Sequence, residues 1–164
     1  DLANDLGNLV SRSTAMLGKY FSGKLPEPGM LNSTDQAFLG LFAETLEKID
    51  GQLDEMAFNK ALMSIWELIS AGNKYIDETA PWSLAKEPAQ RDRLATVMYN
   101  LLESIRIIAL LVAPFMPETG LKILRILGCD SRNLSLDGQD QWGGMKPGTT
   151  VEKAAPLFPR IENE

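Results

Sequence analysis

The sequence predicts an all-α domain, a five-helix bundle with an irregular C-terminal tail that packs back on it. Apolar residues recur at steps of three and four along five segments, and no segment shows the alternation that is typical of a strand. Glycine and proline concentrate between those segments and after residue 128. A chain of 164 residues can bury one core without disulfides or metals. We therefore expect residues 1–128 to form the bundle and residues 129–164 to form a tail of the same domain.

Two helices are predicted in the first third of the chain. The first runs from Asp1 to about Phe21, and a loop rich in glycine and proline follows it. Ser33 and Gln36 resemble a capping box that opens the second helix, which we expect Gly51 to close. The apolar positions of the two helices are Leu2, Leu6, Leu9, Met16 and Tyr20, then Phe38, Phe42, Leu46 and Ile49.

Three more helices follow. The third is predicted from about Asp54 to Asp77, and Pro81 ends that segment. The fourth runs from about Ala89 to Ala113, and its C-terminal half is apolar on nearly every side, which is typical of a central core helix. A short fifth helix carries apolar residues up to Gly128, which is expected to cap it.

The tail contains three large apolar side chains. Trp142, Leu157 and Phe158 lie among glycines and prolines that prevent long helices or strands. Burial of such side chains is favourable, so we expect them to pin the tail to the bundle.

Composition excludes several classes of function. The chain has no histidine and one cysteine, Cys129, so a disulfide framework, a zinc site and an imidazole-based triad are excluded. The acidic pairs Asp54–Glu55 and Asp77–Glu78 are neighbours that point in different directions on a helix, which disfavours a catalytic dyad. The net charge of −6 argues against non-specific nucleic-acid binding.

The chain is expected to begin inside a longer protein and to work in a reducing compartment. It opens with Asp-Leu-Ala-Asn-Asp and shows no secretory signal. The most apolar segment, Ile105 to Val112, is short and charged, so no contact with a membrane is expected.

A small polar edge is predicted on the first helix. Asn8 and Arg12 are four residues apart and therefore lie one above the other, and Lys19 extends the edge with positive charge. An amide and a guanidinium suit the recognition of exposed base edges. The alternative is that Arg12 pairs with a nearby carboxylate and Asn8 is merely solvated.

Pro81 and Trp82 form a second feature, on the turn after the third helix. An indole that a proline holds rigidly offers a flat platform on which an unpaired base can stack. The alternative is that Trp82 packs against the bundle. Trp66, beside Ile65 and Ile69 in an amphipathic pattern, is interpreted as a core residue.

Three segments of the chain resemble the methionyl-tRNA synthetase family. They are Asn4-Asp-Leu-Gly-Asn-Leu-Val-Ser-Arg12, Lys74-Tyr-Ile-Asp-Glu-Thr-Ala-Pro-Trp82 with Leu84-Ala-Lys86, and Ala113-Pro-Phe-Met-Pro-Glu-Thr119. The ending Leu157-Phe-Pro-Arg-Ile-Glu162 is also similar to the stretch that closes the core region of these enzymes and folds back. Related class I synthetases share the Asn and Arg pattern, so the Ala-Pro-Trp element is the more specific one.

The resemblance implies a helical domain that binds the CAU anticodon loop of methionine and initiator tRNAs. Trp82 would stack on the first anticodon base, a cytosine, with Pro81 fixing the turn. Asn8 and Arg12 would contact anticodon bases, Lys19 a base or a phosphate, and Asp77 would help to reject wrong anticodons.

The same resemblance implies that catalysis belongs to another domain of the polypeptide. No position of this chain matches the signatures of the family's catalytic domain, which uses ATP and methionine, so no ligase activity, cofactor or metal is expected here. A cytoplasmic location is expected. Two alternatives stay open: an anticodon domain of another class I synthetase, and a helical scaffold that binds proteins.

Overall fold

Five long helices and one single-turn helix make up the bundle in the computed structural model, which describes residues 2–132 and 134–159. The helices are α1 Leu2–Phe21, α2 Ser33–Asp54, α3 Phe58–Thr79, the single turn α4 Pro81–Leu84, α5 Arg91–Val112 and α6 Pro117–Ile126, with a 3₁₀ turn at Pro88–Gln90 before α5. Those residues contain no strand, and one isolated β-bridge joins Lys24 to Thr150. The prediction of an all-α, five-helix bundle is confirmed.

The helix α5 is the centre of the core. Every residue from Leu94 to Val112 is buried, and α1, α2, α3 and α6 all pack on it. By length and hydropathy the segment Pro88–Val112 could cross a membrane, but 94% of its most apolar window is buried inside the bundle. Burial on all sides therefore accounts for its apolar character.

The helices α1 and α3 lie side by side and point in the same direction. Successive contacts show this: Asp5 accepts a hydrogen bond from Trp66, Leu9 packs on Gly72, and Arg12 binds Asp77. A Cβ added to Gly72 would lie 2.9 Å from Leu9 Cδ2, so a larger residue there would displace the Leu9 side chain from its place between the two helices.

The tail packs back on the bundle, as predicted. Trp142 meets the rings of Phe38 and Phe42 edge to face, with centroids 6.2 and 5.5 Å apart. The Val151 amide donates to the Gly23 carbonyl, and the Ala154 amide donates to Thr14 Oγ1 on α1. Leu157 and Phe158 also pack against the core, and residues 160–164 lie outside the described part of the chain.

A buried ion pair on α5 holds the tail. Both Glu103 carboxylate oxygens accept hydrogen bonds from Arg106. The same carboxylate accepts hydrogen bonds of 2.8 to 3.0 Å from the backbone amides of Gly143, Gly144 and Met145. Arg106 also donates to the carbonyls of residues 139 and 141. Burial, together with the negative charge of Glu103, raises the pKa of the adjacent Tyr99 to about 12.

A second buried network joins α2, α3 and α5. The carboxylate of Asp35 accepts hydrogen bonds from Tyr75 at 2.5 Å and from Arg93, and Asn100 donates to the Tyr75 hydroxyl. Burial alone would raise the pKa of Asp35, but the hydrogen bonds from Arg93, Tyr75 and the Asn32 amide outweigh it and hold that pKa below its ordinary value.

Several predicted helix ends were wrong by a few residues. The capping box of α2 is formed by Asn32 and Asp35, one residue before the predicted pair, and α2 continues through Gly51 to Asp54. The chain then turns at Met56, whose φ of 57° is left-handed, so α3 begins at Phe58 and not at Asp54.

Candidate functional site

The three predicted residues of α1 lie along one exposed strip. Asn8, Arg12 and Lys19 are separated by four and seven residues, which places them on one side of a helix. The opposite side is buried, because it carries the core residues Leu6 and Val10. Asn8 and Lys19 are exposed and Arg12 is half-buried. The predicted polar edge of α1 is therefore present at the surface.

Arg12 is paired with another candidate residue. Its Nη2 donates to Asp77 Oδ1 at 3.0 Å, and the two side chains remain 41% and 66% exposed. The alternative interpretation, that Arg12 pairs with a carboxylate, is thus correct for this structure, and the carboxylate is itself one of the predicted site residues. The pair ties the polar strip of α1 to the C-terminal end of α3.

Trp82 lies on the turn that follows Asp77. The helix α3 ends at Thr79, and Ala80 takes the left-handed conformation with φ 45° and ψ 66°. Pro81 then occupies the first position of α4, where its fixed φ suits helix initiation, and it is buried. The indole of Trp82 remains 42% exposed. Trp82 is therefore not sealed inside the bundle, and the alternative that part of its ring packs against the bundle is compatible with this exposure.

Lys19 is further from the Arg12–Asp77 pair. It follows Arg12 by seven residues, or about 10 Å along the helix axis. Its ammonium lies 5.7 Å from the centroid of the Tyr20 ring, which is a cation–π distance. The structure puts Lys19 on the same strip without joining it to Asp77 or Trp82.

The tail forms a wall of the site that sequence reasoning missed. A groove of about 390 Å³ runs between α1 and the tail, and its lining residues are Ala3, Asn4, Gly7, Asn8, Ser11, Pro156, Leu157 and Phe158. Asn8 thus lies at a groove that has a half-buried aromatic ring, Phe158, on its other side. The spacing of Asn4, Asn8 and Ser11 could have shown the polar floor, but Phe158 was predicted only to pin the tail.

The candidate site is therefore an open trough. Its floor is the polar strip of α1, which the tail at residues 156–158 borders at Asn8 and which Asp77 of α3 contacts at Arg12. The amide and guanidinium groups of the strip offer donors and acceptors. Trp82 follows Asp77 by five residues, and its exposed indole offers a stacking surface. Within the described residues no group of three or more Cys, Asp and Glu side chains is placed to hold a metal ion.

Trp66 differs from its prediction as a core residue. It is half-buried at the junction of α1 and α3, and its Nε1 donates to Asp5 Oδ2 at 3.1 Å. The amphipathic pattern identified the side of α3 that meets α1, but it could not show that α1 offers a carboxylate there.

Comparison with known proteins identifies the family. Residues 25–164 match the family model described as the anticodon binding domain of methionyl tRNA ligase. The chain belongs to this family. The matched range includes Asp77, Pro81 and Trp82 but begins after α1.

Curated relatives extend the match over α1. The methionine–tRNA ligase of Caldanaerobacter subterraneus subsp. tengcongensis is 45% identical over 164 residues, and that of Bacillus subtilis is 45% identical over 166. Each match covers 100% of this chain but only 26% and 25% of the relative's length. The chain thus spans about a quarter of these methionine–tRNA ligases.

Solved structures of the family have the same fold. The apo form of Mycobacterium tuberculosis methionyl-tRNA synthetase superposes with a TM-score of 0.91 at 37% identity. The match covers 100% of this chain and 33% of that one. The form bound by methionyl-adenylate gives a TM-score of 0.88 over 97% of this chain.

Proposed function

We propose that this chain reads the CAU anticodon of methionine and initiator tRNAs for a methionine–tRNA ligase. The observation that carries the proposal is an indole exposed on a proline-fixed turn, five residues after the carboxylate that binds Arg12. A protein with a net charge of −6 gains little affinity from phosphates, so recognition has to come from stacking and base-edge contacts.

Each residue then has a distinct part in recognition. Trp82 stacks on the first anticodon base, and Pro81 fixes the backbone that presents it. Asn8 and Arg12 bind base edges along the floor of the trough, and Lys19 binds a base or a phosphate further along α1.

Asp77 competes with the anticodon for Arg12. In the free protein it holds Arg12 at 3.0 Å, so an anticodon has to replace that hydrogen bond to engage the guanidinium. A base with the wrong edge would cover either Arg12 or Asp77 without giving it a partner, and the loss of solvating water at that group disfavours the complex.

The rest of the ligase reaction belongs to the remaining three-quarters of the polypeptide. We place the use of ATP and methionine there, and we expect the 164-residue chain by itself to attach no methionine to tRNA. A cytoplasmic setting without a membrane partner fits a domain that meets tRNA. An aminoacylation assay of the isolated chain tests this assignment, and methionyl-tRNA formation would contradict it.

A titration of anticodon stem-loops tests the recognition itself. The CAU loop is expected to bind more tightly than a loop with a changed first base, and Trp82→Ala should weaken CAU binding by about 1–3 kcal/mol because one stacking contact is lost. The matched control is Met56→Ala, an exposed apolar residue on the turn between α2 and α3.

The other outcomes are equally informative. Equal binding of both loops, or loss of binding in Met56→Ala as well, would refute the proposal. Tighter binding of an isoleucine or valine anticodon loop would point to another class I specificity. The absence of tRNA-dependent NMR shifts at α1 and Trp82 would favour a protein-binding scaffold.

A further inference from the structure

A buried carboxylate outside the candidate site joins three helices. Asp35, in the first turn of α2, is fully buried. Its Oδ1 accepts hydrogen bonds from the Tyr75 hydroxyl on α3 at 2.5 Å and from Arg93 Nη2 on α5 at 2.9 Å. Its Oδ2 accepts hydrogen bonds from Arg93 Nη1 and from the Asn32 amide. The carboxylate therefore ties the C-terminal end of α3 to the first turn of α5.

The segment between these two anchors carries Trp82. Residues 76–92 include the last turn of α3, all of α4 and the 3₁₀ turn before α5. A helix of one turn is not stable by itself, so the position of α4 depends on its surroundings. Pro81 is buried, Leu84 packs against the core, and α4 packs on α5. The exposed indole is thus presented by a backbone whose two flanks are both held by Asp35.

One residue sets the angle between α3 and α4. The Ala80 amide donates to the Ile76 carbonyl and ends α3, and the Ala80 carbonyl accepts from the Ser83 amide and begins α4, both at 2.9 Å. Its φ of 45° lies in the left-handed region, where the Cβ of alanine comes too close to a carbonyl oxygen. Such strain persists only where the surrounding structure holds it. Its release would change the position of Trp82 relative to Asp77 on α3.

We propose that Asp35 is a positioning residue for Trp82. Its hydrogen bonds hold both flanks of the segment 76–92 and keep the strained turn at Ala80 in the observed conformation. An RNA then binds without first selecting a rare conformation of that turn, which raises its apparent affinity. Asp35 itself does not touch the RNA. The inference rests on the proposed function, because it gives the position of the indole a part in anticodon reading.

Tyr75→Phe tests the anchor in the free protein. The substitution removes one hydrogen bond to Asp35 and keeps the aromatic ring, which stacks on Phe38 with centroids 4.3 Å apart. We expect the NMR signal of the Trp82 indole N–H to shift or broaden, because the turn then samples a second conformation. The indole signal of Trp66, at the junction of α1 and α3, should stay unchanged. This measurement needs no RNA.

The same variant is expected to weaken recognition. Tyr75→Phe should bind the CAU stem-loop about three- to tenfold more weakly, which corresponds to a competent turn in about a third to a tenth of the molecules. Arg93→Lys keeps the positive charge but loses the planar guanidinium that donates to both Asp35 oxygens, so it should act in the same direction.

The matched control is Tyr99→Phe. Tyr99 is also buried, and its hydroxyl donates to the Met145 carbonyl in the tail at 2.8 Å. Loss of this buried hydrogen bond should lower the denaturation midpoint, as the loss at Tyr75 does. The Trp82 signal and the affinity for the CAU loop should nevertheless stay as in the original protein. An effect confined to Tyr75→Phe therefore does not come from a general loss of stability.

Ala80→Gly provides a second readout. Glycine takes a φ of 45° without strain, so in the Tyr75→Phe background this change should return the Trp82 signal and restore the CAU affinity to within about twofold of the original. Met56→Gly is its control, since Met56 has a φ of 57° on the turn between α2 and α3. It should restore neither the signal nor the affinity.

Three results would overturn the proposal: an unchanged Trp82 signal in Tyr75→Phe, an equal change in Tyr99→Phe, or no restoration of the signal by Ala80→Gly. Failure of the proposed function gives a different result. A Trp82 signal that shifts in Tyr75→Phe and returns with Ala80→Gly, while the CAU affinity never changes, would support the anchor and refute the part of Trp82 in anticodon reading.

Discussion

Two arginine–carboxylate pairs in this molecule have the same chemistry and opposite surroundings. Arg106 and Glu103 are almost fully buried, and seven hydrogen bonds surround the pair, three of them from tail amides. Arg12 and Asp77 are joined by a hydrogen bond, and both side chains remain partly exposed to solvent.

The difference in surroundings assigns the two pairs to different tasks. A buried pair cannot be opened without leaving a charge in a medium that solvates it poorly, so it holds structure in place. An exposed pair is worth little because water competes for both partners, so a ligand can replace it at low cost. The first pair fixes the tail, and the second can be opened by a ligand, as the proposed recognition of an anticodon by Arg12 requires.

The largest effect is expected when the buried pair is broken. Glu103→Ala removes the acceptor for three tail amides and leaves Arg106 without its counter-charge, so we expect a loss of about 3–5 kcal/mol in unfolding free energy. Chemical denaturation followed by tryptophan fluorescence measures it, and Trp142 in the tail reports on whether the tail detaches.

A double variant sharpens this prediction. Glu103→Leu with Arg106→Met removes both charges but still leaves the amides of residues 143–145 without an acceptor. The double variant should therefore regain only part of the unfolding free energy that Glu103→Ala loses. Full recovery would show that the charge pair matters and that the amide contacts do not.

A smaller effect is expected from Gly144→Ala. A Cβ at this position would lie 2.5 Å from the Arg106 guanidinium, which its other hydrogen bonds hold in place. We expect a destabilisation of about 1–3 kcal/mol, because the guanidinium has to shift away from its partners.

The control for Gly144→Ala is another glycine. Gly40 lies in α2, and nothing stands within 4 Å of a Cβ added there. Gly40→Ala should raise the unfolding free energy by about 0.5–1 kcal/mol, since alanine is the better helix former. Equal changes in unfolding free energy for Gly144→Ala and Gly40→Ala would show that the crowding at Gly144 has no effect on stability.

The sequence predicted what depends on local periodicity. Five helices, the buried α5 and the exposed polar side of α1 follow from the spacing of apolar residues. Helix ends were less accurate, because Asn32 and Ser33 are both good caps and only the positions of Asp35 and Gln36 relative to the core decide between them.

The contacts between distant segments could not be predicted from the sequence. The partners of Glu103 in the tail are backbone amides, which have no side-chain signature. The pairing of Arg12 with Asp77 depends on the parallel packing of α1 and α3, and the groove at Asn8 depends on where Phe158 returns. The helical spacing identified Asn8 and Arg12, the family resemblance identified Asp77, and only the tertiary structure shows which residues meet.

The smallest effect on stability is expected at the exposed pair. Asp77→Asn should change the unfolding free energy by no more than about 0.5–1 kcal/mol, because the lost ion pair is mostly solvated. A loss of unfolding free energy as large as that of Glu103→Ala would show that the exposed pair stabilises the fold as much as the buried pair does.

The same variant should nevertheless change recognition. With Asp77 neutral, Arg12 is no longer held by a charged partner, so the CAU stem-loop and a loop with a changed first base should differ less in affinity than they do with the original protein. Titration of both loops at the same salt concentration measures this ratio, since salt alone shifts RNA affinity. An unchanged ratio would mean that Asp77 only positions Arg12, and discrimination would then rest on Trp82 and Asn8.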